Sequence, residues 1–196
     1  MLSNYAGVIL AAGKSERFGA AKILADWHGE VLLRKVTKKV LSVGLNPVLV
    51  VLGAIVDPAV ASIRDLPVGV IVNENYASGI GSSFSAGVSS LPNHLKGVFL
   101  FLSDHPFFSK ELLHSMITSA GSADVIVPTV DMKPGHPVLW NQQTFDRIRK
   151  MKSDETGKSI QNEFNRMYFP WSDKKILLDI DTQQDYQNLL EVQQDI

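Results

Sequence analysis

Short apolar runs recur along the chain, each ended by turn-forming residues, and segments with helical spacing separate them. The runs predict buried strands at residues 7–12, 47–52, 68–72, 97–103 and 124–127. Apolar residues recur every third or fourth position over residues 31–43 and 110–119, which predicts helices. Continuous β-branched runs are typical of strands covered on both faces. The alternation therefore predicts an α/β fold with a Rossmann-like, doubly wound, mostly parallel sheet.

The rhythm changes after Pro128. Residues 135–140 form an extended segment outside the βα alternation, and residues 175–181 predict a further strand. Thr182 and Asp185 have the spacing of a helix N-cap close to a capping box. Residues 150–158 are the best candidate for a mobile loop.

Composition limits the class of protein. A chain of 196 residues, 45% hydrophobic and 20% charged, fits one domain covering residues 1–196. A net charge of -1 gives no basic field for nucleic acid or an anionic membrane. The chain has no cysteine, which excludes thiolate catalysis and disulfides, and no apolar run approaches the roughly 20 residues of a membrane span. We expect a cytoplasmic protein with no nucleic-acid or membrane partner.

The loop after the first strand carries the first candidate chemistry. Ligands of open α/β sheets bind beyond the carboxyl ends of the strands. Gly13 and Gly19 permit close approach of a ligand, and Lys14, Arg17 and Lys22 supply positive charge for an anionic group. A P-loop that ends in Gly13 and Lys14 would need a glycine at position 8, whereas this chain has Gly7. The G-x-G-x-x-G dinucleotide fingerprint is missing from the loop. Phosphate binding and a solvated loop with incidental charges both remain open.

The same loop resembles a known family. Leu10, Ala11, Ala12 and Gly13, followed by Ser15, Arg17, Gly19 and Lys22, match the motif L-A-A-G-x-S-x-R-M/F-G-x-x-K of MobA-like nucleotidyltransferases. The chain is most similar to the branch that contains molybdenum cofactor cytidylyltransferase. The resemblance implies a nucleotide-diphospho-sugar transferase-like fold in which this loop wraps an NTP triphosphate. It also implies that Arg17 and Lys22 contact the phosphates and stabilise the departing pyrophosphate.

A second segment resembles the family motif N-x-x-x-x-x-G-x-x-x-S, which touches base and ribose. Asn73, Gly79 and Ser83 occupy its fixed positions. Ser82 or Ser83 could equally cap the helix that follows.

Carboxylates suggest a metal site. Asp104 follows the fourth strand, and Mg²⁺ prefers a few hard oxygen ligands together with substrate phosphates. The family has G/S-D-x-P here, with glutamine or methionine where this chain has His105. Asp179 and Asp181 alternate on one face of the predicted strand and match the family's D-I-D-T-P-x-D-Y/F, with Gln183 replacing proline. Either aspartate is a candidate second Mg²⁺ ligand opposite Asp104.

The tetrapeptide Pro-Gly-His-Pro at residues 134–137 resembles the cytidylyltransferase branch most specifically. The resemblance implies that this turn, with His136, helps form the acceptor side of the cleft. Gly135 and Pro137 could instead only shape a turn.

The implied reaction is Mg²⁺-dependent transfer of CMP from CTP to a phosphorylated acceptor of the molybdopterin type, with release of pyrophosphate. Guanylyltransferases carry L-A-G-G at the first loop, so Ala11 and Ala12 favour CTP. A molybdoenzyme or chaperone that receives the product is an implied partner. GTP use, a sugar- or alcohol-phosphate acceptor, and a non-catalytic nucleotide-binding or cofactor-chaperone module are alternatives. A Rossmann oxidoreductase is disfavoured by the missing fingerprint, and a glycosyltransferase by the lack of D-x-D on the fourth strand.

Overall fold

An eight-stranded sheet organises the chain. The computed structural model describes residues 2–152 and 154–191. The strands are β1 (Tyr5–Ala11), β2 (Val48–Leu52), β3 (Gly69–Val72), β4 (Gly97–Leu102), β5 (Val125–Val130), β6 (Lys133–Pro134), β7 (Val138–Asn141) and β8 (Arg166–Pro170).

The strand order places a topological switch beside the first strand. The order is β3-β2-β1-β4-β7-β5-β6, with β8 pairing β5. Strands β3, β2, β1 and β4 are parallel neighbours, and β8 runs parallel to β5. Strand β7 is antiparallel to both β4 and β5. The chain leaves β1 towards β2 and returns on the other side to β4, so a crevice opens at the carboxyl ends of β1 and β4.

Seven α-helices accompany the sheet within the described ranges. They are α1 (Leu32–Ser42), α2 (Asp57–Ile63), α3 (Ile80–Ser89), α4 (Lys110–Ser119), α5 (Phe145–Arg149), α6 (Gly157–Ile160) and α7 (Gln183–Leu190). Strand β1 is buried along its whole length. Its side chains alternate between two cores: Ile9 packs with residues of α1, α2 and α4, whereas Val8 packs with residues of α3 and α5. Helices on both faces explain why the strand is apolar at every position.

The α/β fold with a mostly parallel sheet is confirmed, and so are the helices at residues 31–43 and 110–119 to within a residue or so at each end. The strand predicted at residues 175–181 is wrong. Lys174–Leu177 form a 3-10 turn, and the following residues are irregular. This segment makes single backbone bonds to two different partners, Ile176 O accepting from His136 N (3.3 Å) and Ile180 N donating to Asp104 O (3.0 Å). Without a neighbouring strand to form a ladder, an apolar run does not become a strand.

Most of the segment predicted as a mobile loop is fastened to the fold. Arg147 on α5 donates to Glu155 Oε2 (3.0 Å) and Oε1 (2.5 Å). Glu155 also accepts from Lys152 N (2.8 Å). Ser153 lies outside the described residues. Among the described helices, none has the length and apolar character needed to cross a membrane.

Candidate active site

The loop after β1 is anchored to the last helix. Phe18, only 4% exposed, contacts the Tyr186 ring edge-on at 5.7 Å between centroids. Gln183 Nε2 on α7 donates to Phe18 O at 3.1 Å. Ser15 and Gly19 have φ of 56° and 74°, so the backbone turns sharply on either side of Arg17. The loop's charged residues are therefore held beside β1 although the loop contains no long helix or strand.

Lys22 lies at the centre of a charged cluster. Its Nζ is 2.8 Å from Asp104 Oδ2 and 3.4 Å from Asp181 Oδ1. Arg17 Nη1 lies 2.8 Å from Asp181 Oδ2. The Lys22 side chain is 9% exposed, whereas that of Arg17 is 78% exposed. A lysine this buried requires charged partners, and the two carboxylates provide them.

Two separate backbone connections place the carboxylates. Asp104 lies two residues beyond the end of β4, and Ser103 N donates to Leu10 O (3.1 Å). Asp181 precedes α7, whose N-cap Thr182 forms a capping box with Asp185, as the sequence predicts. Ile180 is fully buried and its N–H binds Asp104 O, so the two aspartates are tied through the main chain.

A cavity of about 530 Å³ lies at the carboxyl ends of β1 and β4, and we call it the nucleotide cleft after the ligand that the sequence resemblance implies. Ten of the residues predicted for the site line it: Leu10, Ala11, Ala12, Gly13, Ser15, Arg17, Lys22, Ser83, Asp104 and Asp181. Asn73, Gly79, Asp179 and His136 do not. The sequence did not single out Tyr76, Ala77, Ile80, Leu102 or Ser103, which also line the cleft.

Asn73 shapes the cleft from behind. It is buried, and its Nδ2 donates to Ser82 Oγ (2.9 Å) and Ser83 Oγ (3.0 Å). Its Oδ1 accepts from Asn75 N (3.0 Å), which fixes the turn that carries Tyr76. An amide whose groups are all engaged within the protein positions the turn, and neighbouring Tyr76 and Ala77 line the cleft.

The alternative that Ser82 or Ser83 caps the next helix is wrong. Helix α3 begins at Ile80 with Gly79 as N-cap, at φ 125°. Both serines lie within the first turn, where Ser82 Oγ donates to Gly79 O (2.8 Å). Ser83 lines the nucleotide cleft. The positive φ explains the glycine at position 79, because L side chains rarely adopt that conformation.

Asp179 and Asp181 occupy different environments. Ile180 points into the core and leaves both neighbours partly exposed, so the alternation predicted from the sequence persists without a strand. Only Asp181 lines the nucleotide cleft. The negative charges of Asp104, Asp179 and Asp181 all act on His105, where they oppose the lowering of the histidine pKa by burial.

His105 and His136 form a pair beside the charged cluster. Their ring centroids are 4.8 Å apart. Burial lowers the pKa of both imidazoles, and for His136 the nearby His105 adds to the effect and brings the pKa to about 4. Their Nδ1 atoms are buried and have no hydrogen-bond partner among the described residues. Both rings are therefore neutral near pH 7.

A second cavity of about 250 Å³, here called the inner cavity, adjoins the first. It shares Leu10, Ile80 and Leu102 with the nucleotide cleft, and His136 lines it together with Pro134 and Gly135. The remaining lining residues are Phe84, Leu100, Val127, Val138, Trp140, Thr156, Gly157, Lys158, Gln161, Arg166 and Tyr168. The sequence motif at residues 134–137 thus contributes to a site next to the nucleotide cleft, and the residues opposite it come from regions without a motif.

The geometry agrees with the relatives of the chain. The family model of the MobA-like NTP transferase domain matches residues 7–167, more than half of the chain. A nicotine blue oxidoreductase of Paenarthrobacter nicotinovorans is 28% identical, with 94% of this chain and 95% of that protein covered. A probable molybdenum cofactor guanylyltransferase of Bacillus cytotoxicus is 24% identical, with 96% and 98% covered.

The fold also matches solved structures. Rv0371c of Mycobacterium tuberculosis superposes with a TM-score of 0.84 at 23% identity, over 97% of this chain and 100% of that one. A manganese complex of the same protein gives 0.83 at 21% identity, with the same shares covered. The matching fold and the family model agree, and the chain belongs to the MobA-like NTP transferase family.

Proposed function

We propose that this nucleotidyltransferase moves CMP from CTP to the phosphate of a molybdopterin-type acceptor and releases pyrophosphate. The observation that carries the proposal is the cluster in which Lys22 joins Asp104 to Asp181 at the mouth of the β1 loop. Positive groups and carboxylates at one point suit a triphosphate together with a divalent cation. The proposed location is the cytoplasm, where nucleoside triphosphates are available.

Arg17 and Lys22 are proposed to bind the triphosphate. Arg17 is largely exposed on the loop, whereas Lys22 is fixed deep in the cleft. An exposed guanidinium can close on the terminal phosphates as the nucleotide enters, while a buried ammonium is already in position. Both charges would offset the charge that develops on departing pyrophosphate.

The carboxylates fit a divalent cation. Asp104 and Asp181 converge on the Lys22 ammonium, so a divalent cation beside Lys22 would meet two carboxylates. No group of three or more potential metal ligands occurs among residues 2–152 and 154–191. Two carboxylates completed by substrate phosphates are the arrangement that Mg²⁺ commonly uses. When bound, Mg²⁺ would neutralise phosphate charge and orient the triphosphate. The manganese complex of the similar mycobacterial fold is compatible with a divalent cation here.

The reaction needs little acid–base chemistry from the protein. An oxygen of the acceptor phosphate attacks the α-phosphorus of CTP in line, the new P–O bond forms, and the bond to pyrophosphate breaks. The attacking oxygen is already ionised near neutral pH, so no general base is required. Catalysis rests on positioning and charge neutralisation. His136 lines the inner cavity, and because its ring is neutral it brings no full charge to the acceptor there.

The choice of CTP is supported by the crowded wall of the nucleotide cleft. A Cβ at Gly53 would lie 2.9 Å from Ala12 O and closer still to the Tyr76 ring, so Tyr76 packs directly over this backbone. Ala12 itself is 6% exposed. With Tyr76 packed here, the methyl group of Ala12 leaves less room beside the base than a glycine at position 12 would. A pyrimidine fits this restriction better than a purine.

The test is release of pyrophosphate from each of the four NTPs, with Mg²⁺ and with or without molybdenum-loaded molybdopterin. The proposal expects release from CTP that requires the acceptor. Release mainly from GTP would overturn the base assignment and keep nucleotidyl transfer. CTP binding without release for any acceptor would favour a non-catalytic nucleotide-binding or cofactor-chaperone module. Where release depends on the acceptor, transfer of the product to a molybdoenzyme or chaperone is tested next.

A second candidate function follows from one relative. The Paenarthrobacter protein is named an oxidoreductase that acts on nicotine blue, and the inner cavity here is largely apolar. A flat unsaturated dye could accept a hydride there from a dihydronicotinamide cofactor. Oxidation of NADH or NADPH that depends on a quinonoid dye would support this activity. Its absence, together with CTP-dependent pyrophosphate release, would exclude it.

A further inference from the structure

The inner cavity has walls that select against a sugar-like acceptor. Side chains of Leu10, Phe84, Leu100, Leu102, Val127 and Val138 line it. A polyol held against these six side chains would lose hydrogen bonds to water that they cannot replace. A flat, unsaturated body would instead gain from contact with apolar walls.

Two cations lie at this cavity without acidic partners. Lys158 comes from α6 and Arg166 from β8, and both line the inner cavity. Neither forms a salt bridge with any carboxylate in the described part of the chain. The neighbouring Glu155 and Glu163 are engaged by Arg147. The Arg166 guanidinium lies over the Tyr168 ring at 4.7 Å, which limits its rotamers and leaves its N–H groups available.

These cations are separate from those that serve the triphosphate. Arg17 and Lys22 line the nucleotide cleft only, whereas Lys158 and Arg166 line the inner cavity only. Leu10, Ile80 and Leu102 form the wall between them. In the proposed reaction the acceptor phosphate lies at this junction to reach the α-phosphorus, so it does not neutralise Lys158 and Arg166.

We infer that the acceptor is a two-ended molecule: its reacting phosphate lies at the junction, a flat unsaturated body fills the inner cavity, and a second anionic group binds between Lys158 and Arg166. Only the placement of the reacting phosphate rests on the proposed function. The second anionic site itself depends only on the cavity and its two cations.

Binding can be measured without catalysis. The probe is pterin-6-carboxylate, a flat fluorescent ring with one anionic group, and its uncharged counterpart is 6-hydroxymethylpterin. We expect the full chain to bind the carboxylate at least about tenfold more tightly, because a charge-assisted bond is worth this much. In the Lys158→Gln/Arg166→Gln double variant the two probes should bind equally. Lys110→Gln, a change at an exposed residue of α4, should behave as the wild type.

Steady-state kinetics give the second readout. With the acceptor varied, the double variant should show KM for the acceptor raised roughly tenfold or more, with kcat and the KM for CTP unchanged. Charge-dependent probe binding without pyrophosphate release from any NTP would uphold the anionic site and reject the proposed function. Pyrophosphate release combined with equal binding of both probes by the wild type, or with no binding of either, would reject the anionic site and uphold the function.

Discussion

Lys22 and Asp104 are 82 residues apart in the chain, yet the lysine ammonium lies 2.8 Å from the aspartate carboxylate. The lysine side chain is only 9% exposed. The first residue belongs to the loop after β1 and the second follows β4, the strand hydrogen-bonded to β1. Parallel pairing therefore brings together the two segments that supply opposite charges. The site is a direct product of strand order.

Loss of the Lys22 charge should impair turnover strongly. Lys22→Ala is expected to lower kcat by roughly 10²–10³, because a preorganised cation in a water-poor cleft is removed. The measurement is acceptor-dependent pyrophosphate release at saturating CTP. Lys110→Ala serves as the control, since Lys110 is exposed on α4 and does not line the cleft. A loss below tenfold for Lys22→Ala would remove this lysine from the mechanism.

The two aspartates of the cluster should determine the metal requirement. Asp104→Asn and Asp181→Asn are each expected to raise the half-saturating Mg²⁺ concentration by about tenfold or more, since one charged ligand is lost. Asp179→Asn is the control, because Asp179 does not line the nucleotide cleft. Titration of activity with Mg²⁺ gives the comparison. Equal effects at positions 179 and 181 would contradict the assignment of Asp181.

The methyl group of Ala12 should contribute to base choice. Ala12→Gly opens space beside Tyr76, and we expect kcat/KM for GTP relative to CTP to rise about tenfold. The four nucleotides are compared with the same acceptor. Ala20→Gly, at an exposed residue outside the cleft lining, provides the control. An unchanged ratio would place base selection elsewhere in the cleft.

Burial of His136 should make the fold sensitive to acid. Burial lowers the pKa of His136 from its ordinary 6.5 to about 4, so the unfolded chain binds more protons than the folded one between these values. Stability is therefore present in full above pH 6.5 and is lost as the pH falls towards 4, by about 2 kcal/mol between pH 7 and pH 5. Urea unfolding at the two pH values measures the loss.

His136→Asn should lose less stability than the wild type over the same interval, because no imidazole remains to be charged. His94→Asn, at an exposed position, should retain the wild-type pH dependence. Identical pH dependence in the wild type and His136→Asn would show that other groups cause the acid sensitivity.

Much of the sheet could be predicted because buried parallel strands leave continuous apolar runs. The exceptions have physical reasons. Strand β8, with the sequence Arg-Met-Tyr-Phe-Pro, contains no β-branched residue and no fully buried one, so it lacks the kind of run that predicts the buried strands. Residues 175–181 have such a run, but their backbone binds separate segments and their apolar side chains pack beneath Gly135 and into the core.

The candidate site also contains residues that the sequence predicts and residues that it does not. The β1 loop, Asp104 and Asp181 lie in local motifs at strand or helix ends, where sequence order predicts their position. The engagement of Asn73 with two serines depends on the path of a turn, which no spacing rule fixes. Lys158 on α6 and Arg166 on β8 lie outside any motif, and only the fold brings them to the cavity that His136 also lines.

The shared wall of Leu10, Ile80 and Leu102 has a consequence for turnover. In the proposed reaction each substrate occupies one cavity, and the joined product spans both and keeps the contacts of each half. While one half of the product stays bound, the other half rebinds its own site at high effective concentration. The product is therefore held more tightly than either substrate. Departure of the product, and hence its collection by a recipient protein, would then limit the rate of the cycle once the chemical step is fast.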